Sequence, residues 1–173
     1  MAKLVAVNRR DEIETQAKYY VRSYILLPSG MLGLLCMVGG IGGLGYQFIA
    51  TGSYTWATFL ASSGLLLVGG LCGTAQTGYH RYLFRTVPEV FAARMRAAIG
   101  KSGKKTRVAS QATEISHPGR ALVPLGYVAG ALVLFAASAL ALLKGSVDAV
   151  PALLLPWAGF YWGKLFLWRG IVR

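Results

Sequence analysis

His80 and His117 are the only histidines in the chain, and they frame the first question about chemistry. His80 follows the second apolar run and His117 precedes the third, so folding can bring the two together. Two imidazoles can ligate a metal or a haem iron. They can also act as acid and base on a phosphorylated lipid gripped by nearby arginines. Haem ligands, however, usually lie deeper within a pair of helices, and two lone imidazoles do not define a metal site. Cys36 and Cys72 do not complete one, because neither has a CxxC partner or a neighbouring histidine. They read as small apolar residues within helices. No metal or cofactor site is expected.

Acid–base work within a membrane needs carboxylates or other ionisable groups facing a cavity. All six acids, Asp11, Glu12, Glu14, Glu89, Glu114 and Asp148, fall outside the apolar runs. Asp148 is isolated and is expected in a turn. The stretch Gly100-Lys101-Ser102-Gly103-Lys104-Lys105 superficially resembles a phosphate loop, but it lacks the required earlier glycine and a preceding strand. Nucleotide binding and catalysis are therefore not expected.

The 173 residues combine 55% hydrophobic residues with only 14% charged ones and a formal charge of +12; mean hydropathy is +0.52. An average soluble domain carries about 25% charged residues, so this chain lacks the polar surface to coat a globule of its size. High apolar content and high net charge coexist readily where the charges crowd into loops between membrane spans. The interleaving of Tyr79, Tyr82 and Phe84 with Arg81 and Arg85 could be mistaken for a nucleic-acid strip. At the end of a membrane helix it is an aromatic belt with snorkelling arginines, and no nucleic-acid partner is expected.

Four apolar segments set the elements that would position any site, beginning near Ile25, Trp56, Ala121 and Ala149. A hydrocarbon core of ~30 Å takes about 20 helical residues; Lys164 makes the fourth segment the shortest uninterrupted one. It spans if Lys164 lies near the far end and snorkels beside Arg169. The predicted fold is all-α: four transmembrane helices with short amphipathic helices outside the bilayer. The expected organisation is an amphipathic segment over 1–24, a hairpin over 25–79, a basic loop over 80–120, a second hairpin over 121–168 and a tail over 169–173. No cleaved signal peptide is expected, because the first 22 residues are polar.

Charge sets the orientation. Residues 1–22 carry Lys3, Arg9, Arg10, Lys18 and Arg22. The loop 80–120 carries Arg81, Arg85, Arg94, Arg96, Lys101, Lys104, Lys105, Arg107 and Arg120, whereas 50–55 carries no basic residue and 144–150 only Lys144. The positive-inside rule then places both termini and the loop in the cytoplasm, in a bacterial inner membrane. Arg81, Arg85, Arg94, Arg96, Lys101, Lys104 and Lys105 are the candidates for contact with anionic lipid headgroups or a partner.

Outside the spans, Glu14, Lys18 and Arg22 repeat at i, i+4 opposite a stripe of Ile13, Ala17, Tyr20 and Tyr24, which predicts a short helix leading into the first span. Thr86 and Glu89 are spaced as a capping box for a second helix over 87–99, whose Val90, Phe91, Met95, Ala98 and Ile99 face away from Arg94.

Each predicted span holds a GxxxG pair: Gly39 and Gly43, Gly69 and Gly73, Gly126 and Gly130, Gly159 and Gly163. Such pairs let helix backbones approach closely where burial from water no longer drives association. Ser62, Ser63, Gln76 and Thr77 are expected to add interhelical hydrogen bonds. The run Gly39 to Gly45 implies close packing, a local break or contact with a flat ligand. Trp157, Phe160, Tyr161 and Trp162 cover much of the fourth helix, which is therefore expected at the lipid-facing or subunit-facing rim. Pro28 with Gly30 and Pro124 with Gly126 open alternate spans 96 residues apart, which suggests a duplicated hairpin.

Packing signals without a chemical site point to a non-catalytic subunit of a larger membrane assembly, respiratory, photosynthetic or secretory, with other membrane subunits and anionic lipids as partners. A small homo-oligomeric channel or carrier is the alternative from a different class. A membrane enzyme using His80 and His117 on a phosphorylated lipid is the third.

Overall fold

The computed structural model describes residues 12–86, 88–89, 91–92, 94–95 and 122–169, and among these there are helices and turns but no strand. Four long helices make the fold: α1 (Glu12–Ile49), α2 (Trp56–Thr86), α3 (Leu122–Leu143) and α4 (Ala149–Arg169). α1, α2 and α3 are long and apolar enough to cross a membrane.

The helix boundaries follow from local chemistry. The predicted N-terminal helix is continuous with the first span, and Glu14 and Lys18 pair across one turn at 2.9 Å. The join, Val21–Leu26, is π-helical, with the Leu27 N–H donating to the Arg22 carbonyl five residues back. Pro28 stands just beyond and has no N–H for the carbonyl of Tyr24, so the ordinary ladder cannot run through this point. α2 begins where Thr55 and Thr58 cap each other. The Thr58 N–H donates to Thr55 Oγ1 at 3.4 Å and the Thr55 N–H to Thr58 Oγ1 at 3.2 Å, a reciprocal arrangement that satisfies donors a helix start leaves free. α3 ends on Gly145, whose φ of +63° is open to glycine at little cost and lets the chain turn at once into α4.

The packing order departs from the sequence order. α4 lies between α1 and α2, and α3 rests on the α2–α4 pair; α1 and α2, consecutive in the chain, scarcely touch. The fourth helix, expected at the rim because of its aromatic residues, is the centre of the bundle. Its Ala152, Leu155, Pro156, Ala158, Gly159, Gly163 and Trp168 are buried. Gly159 and Gly163 admit α2 on one face, Pro151, Leu154, Leu155 and the Tyr161 Cβ lie against the glycines of α1 on another, and the rings of Trp157, Phe160 and Tyr161 line a third side. The two hairpins do not repeat one another in packing, since α1 sets its glycines against α4 while a methyl on Gly126 or Gly130 of α3 would meet nothing within 4 Å among the described residues.

Two apolar clusters close the ends. At one, Leu65, Ala141, Val147, Ala152 and Leu155 pack together, and Gln47 Oε1 accepts the Asp148 N–H at 3.4 Å, joining the turn before α4 to α1. At the other, Ala17, Val21, Leu83, Phe84, Phe91 and Trp168 form the core. The N-terminal stretch therefore docks on the ends of α2 and α4. Phe91 and Met95 of the predicted second amphipathic helix are buried, as is Ala92, while Arg94 is exposed. Its capping differs from expectation. Thr86 ends α2 and its hydroxyl donates back to the Tyr82 carbonyl at 2.6 Å, and the new turn starts at Pro88, whose carbonyl accepts the N–H groups of Phe91 and Ala92.

Candidate functional site

The closest approach in the molecule is the seam between α2 and α4. A methyl placed on Gly69 would collide with the Pro156 carbonyl, one on Gly73 with the Phe160 carbonyl, and one on Gly159 with the Leu66 carbonyl. One on Gly163 would lie 2.6 Å from the Gly70 oxygen. The glycines of each helix thus face the backbone of the other, and their Cα hydrogens point at carbonyl oxygens, contacts worth about 0.5–1 kcal/mol each. Along the α1–α4 seam, a methyl on Gly39 would lie 2.6 Å from Leu154 Cδ1. On Gly40 it would lie 2.7 Å from Leu155 Cδ2, and on Gly43 2.7 Å from Pro151 Cδ. Here side chains of α4 occupy the notches, a looser fit than backbone on backbone. Gly33, outside any predicted pair, belongs to the same seam against Tyr161 Cβ.

Polar residues in these helices mostly bond their own backbone. Ser62 donates to the Phe59 carbonyl at 3.0 Å and Thr77 to the Gly73 carbonyl at 2.8 Å, so neither forms the expected interhelical bond. A hydroxyl one turn from a carbonyl reaches it more easily than it reaches a neighbouring helix.

The missing partner for Gly126 and Gly130 is a space. A cleft of about 600 Å³ lies between α2, α3 and α4. Gly126 and Gly130 line one wall, and Trp157, Phe160 and Tyr161 come from α4. Phe135 and Trp157 meet edge to face, ring centroids 5.9 Å apart, beside the buried Leu134. Toward the Trp168 end the lining turns polar, with Gln76, Tyr79 and His80 on α2, Tyr127 on α3 and Lys164 on α4. Tyr127 Oη and His80 Nε2 are 3.0 Å apart. Lys164 Nζ sits 4.3 Å from the centroid of the Phe160 ring, a cation–π contact. Gln76 Oε1 is buried without a hydrogen-bond partner among the described residues.

A second groove of about 630 Å³ runs beside the π-helical stretch, lined by Arg22, Leu26, Leu27, Trp162, Leu165, Phe166 and Arg169. Of the basic residues singled out in the sequence, Arg85 and Arg94 are exposed and Arg81 is half-buried. Arg96, Lys101, Lys104 and Lys105 lie outside the described residues, as does His117, so the pairing of the two histidines is not among the contacts described. The structure gives His80 a tyrosine partner instead. Tyr127 carries no signal in the sequence beyond being aromatic, since only the packing of α3 against α2 brings it to His80. Lys164, His80 and the Gly126–Gly130 pair are each legible in the sequence, but nothing local says that they border one cleft.

The class these features define is a small all-helical bundle with membrane-length helices, an interlocked glycine seam and a lateral cleft. Comparison with protein-family models, with characterised proteins and with solved structures finds no match for this chain.

Proposed function

We propose that the chain is a non-catalytic subunit of a larger assembly in a bacterial inner membrane, crossing it four times with both termini and the 80–120 loop in the cytoplasm. α4, with 21 residues, is the fourth span in this reading. Its Lys164 is tolerated because the ammonium lies over an aromatic ring in a cleft rather than against lipid.

The observation that carries the assembly reading is a pair of glycines that no other described segment packs against. A methyl on Gly42 or Gly45 of α1 would meet nothing within 4 Å among the described residues, and neighbouring Ile41, Tyr46 and Phe48 are exposed. A glycine weakens a helix by roughly 1 kcal/mol relative to alanine, a cost these two positions recover if another helix packs on them. Other membrane subunits are the partners proposed, with anionic lipids at the basic end.

Gentle extraction of the tagged chain followed by native mass spectrometry tests this. Stoichiometric unlike partners are expected; a pure homo-oligomer would transfer the reading to a channel or carrier. Replacing Gly42 and Gly45 with leucine should release those partners while the isolated chain keeps its thermal stability within about 1 kcal/mol. Retention of every partner by that variant would show that this face meets lipid. The topology has its own check: a single cysteine at Ser110, in an otherwise cysteine-free chain, should resist a membrane-impermeant maleimide added outside intact cells. Efficient labelling would reverse the orientation.

A further inference from the structure

The geometry points to the α2–α3–α4 cleft as a binding site for an amphipathic molecule with a flat unsaturated ring system and an anionic oxygen head. Its size of about 600 Å³ lies within the usual range for small-molecule sites, roughly 300–1,000 Å³. Its walls differ in a way that suits a flat body. Gly126 and Gly130 offer bare backbone with nothing within 4 Å, and Trp157, Phe160 and Tyr161 offer ring faces and edges from α4. A ring system can lie on the glycines and meet the aromatic residues edge to face or offset. Had α3 been built to pack against α4 by its glycines, the two backbones would have closed the gap as α2 and α4 do. Instead the Phe135–Trp157 contact holds them apart.

The head group follows from the polar end. Among the described residues Lys164 has no carboxylate within 4 Å, and the one ion pair there joins Lys18 to Glu14. A half-buried ammonium with no counter-ion among the described residues favours an anionic ligand. In the same cleft the buried Gln76 oxygen lacks a donor among the described residues, which a ligand hydroxyl or a water carried with the head would supply. His80 and Tyr127 already satisfy one another at 3.0 Å and border the head. Cys72 lines the cleft two turns before His80 on α2, about 12 Å along the axis at 1.5 Å per residue. The ligand's length is thereby matched to a two- or three-ring body. This site concerns the isolated chain and stands or falls separately from the assembly reading.

The test uses the full chain in phosphatidylcholine nanodiscs, titrated with 2-anthracenecarboxylate and followed by energy transfer from tryptophan to the anthracene. Saturable transfer is expected, with 2-anthracenemethanol binding at least tenfold more weakly. Lys164→Gln should weaken the carboxylate at least tenfold, Gly130→Leu should abolish saturable transfer, and Gly42→Leu, far from the cleft, should leave it unchanged. Transfer that never saturates, that is equal for the two probes or that is indifferent to Lys164→Gln overturns the proposal. A second measurement needs no substitution in the cleft. In a Cys36→Ala background, 2-anthracenecarboxylate should slow alkylation of Cys72 by N-ethylmaleimide at least fivefold, and an unchanged rate overturns the proposal even if Gly130→Leu fails to fold.

Discussion

Leucine at Gly69 is expected to cost the protein its fold. The added side chain meets the Pro156 carbonyl and, behind it, the Phe160 amide nitrogen at 3.0 Å, which are backbone atoms with no rotamer to change. α2 and α4 would have to part along their whole contact, which loses the Gly73, Gly159 and Gly163 approaches together. Overpacking of side chains in a core costs about 1–3 kcal/mol; displacing two backbones should exceed about 4 kcal/mol, the range reserved for a specific structural lesion. Unfolding in mixed dodecyl maltoside and SDS micelles, followed by tryptophan fluorescence, would show Gly69→Leu unfolded at SDS fractions where the parent chain is intact. Gly64→Leu is the control, because Gly64 is on the same helix with nothing within 4 Å, and it should shift the transition by no more than about 1 kcal/mol. Equal midpoints for the two variants would mean that the seam is not the source of stability.

Removing Trp168 should be almost as damaging, and at the opposite kind of contact. The side chain is 1% exposed and its ring meets Phe84 at 5.9 Å and Phe91 at 6.3 Å between centroids. It thus joins the end of α4 to the end of α2 and to the turn that follows, with Ala17 and Val21 of α1 in the same cluster. Trp168→Ala is expected to cost about 3–5 kcal/mol, the transfer of the ring plus the cavity left behind. Limited proteolysis should find cleavage sites within 12–26 and 88–95 before the rest of the bundle opens. Trp168→Phe should recover most of the loss, since the indole N–H makes no hydrogen bond among the described residues and only ring area is forfeited. Trp162→Ala, on the same helix but 39% exposed, should cost clearly less than Trp168→Ala, since less ring area is lost and less of a cavity is left. A Trp168→Ala variant as stable and as protease-resistant as its parent would show that the cluster is not a joint.

α4 is where sequence and structure differ most. Its aromatic residues were visible, but an aromatic in a membrane helix can face lipid, a partner or a ligand, and composition does not distinguish them. The signal that did point inward was the coexistence of Gly159, Gly163 and Pro156, whose carbonyl lies against Gly69. The GxxxG spacing was equally clear in α2, α3 and α4, yet it marks a seam in two of them and a wall of empty space in the third. Spacing says that a backbone is approachable; it does not say what approaches. Hydroxyls gave a similar lesson, because Ser62 and Thr77 had their own carbonyls one turn away. Gln47, reaching the Asp148 amide 101 residues along the chain, had no local signal at all.

What the sequence alone determined is what length, periodicity and simple counting set: helices of membrane length, the Glu14–Lys18 pair and the charge asymmetry of the loops. These depend on residues within a few positions of one another, or on simple counts. Only the tertiary structure decided that α4 stands between α1 and α2, that Trp168 gathers three segments at one end, and that Gly126, Gly130, Gln76, His80 and Lys164 border a common cleft. Each of these depends on which of several approachable helix faces meet. That choice is made by the sum of close contacts across the whole bundle, where backbone approach at Gly69 and Gly159 on α2 and α4 outweighs the looser alternatives available to α3.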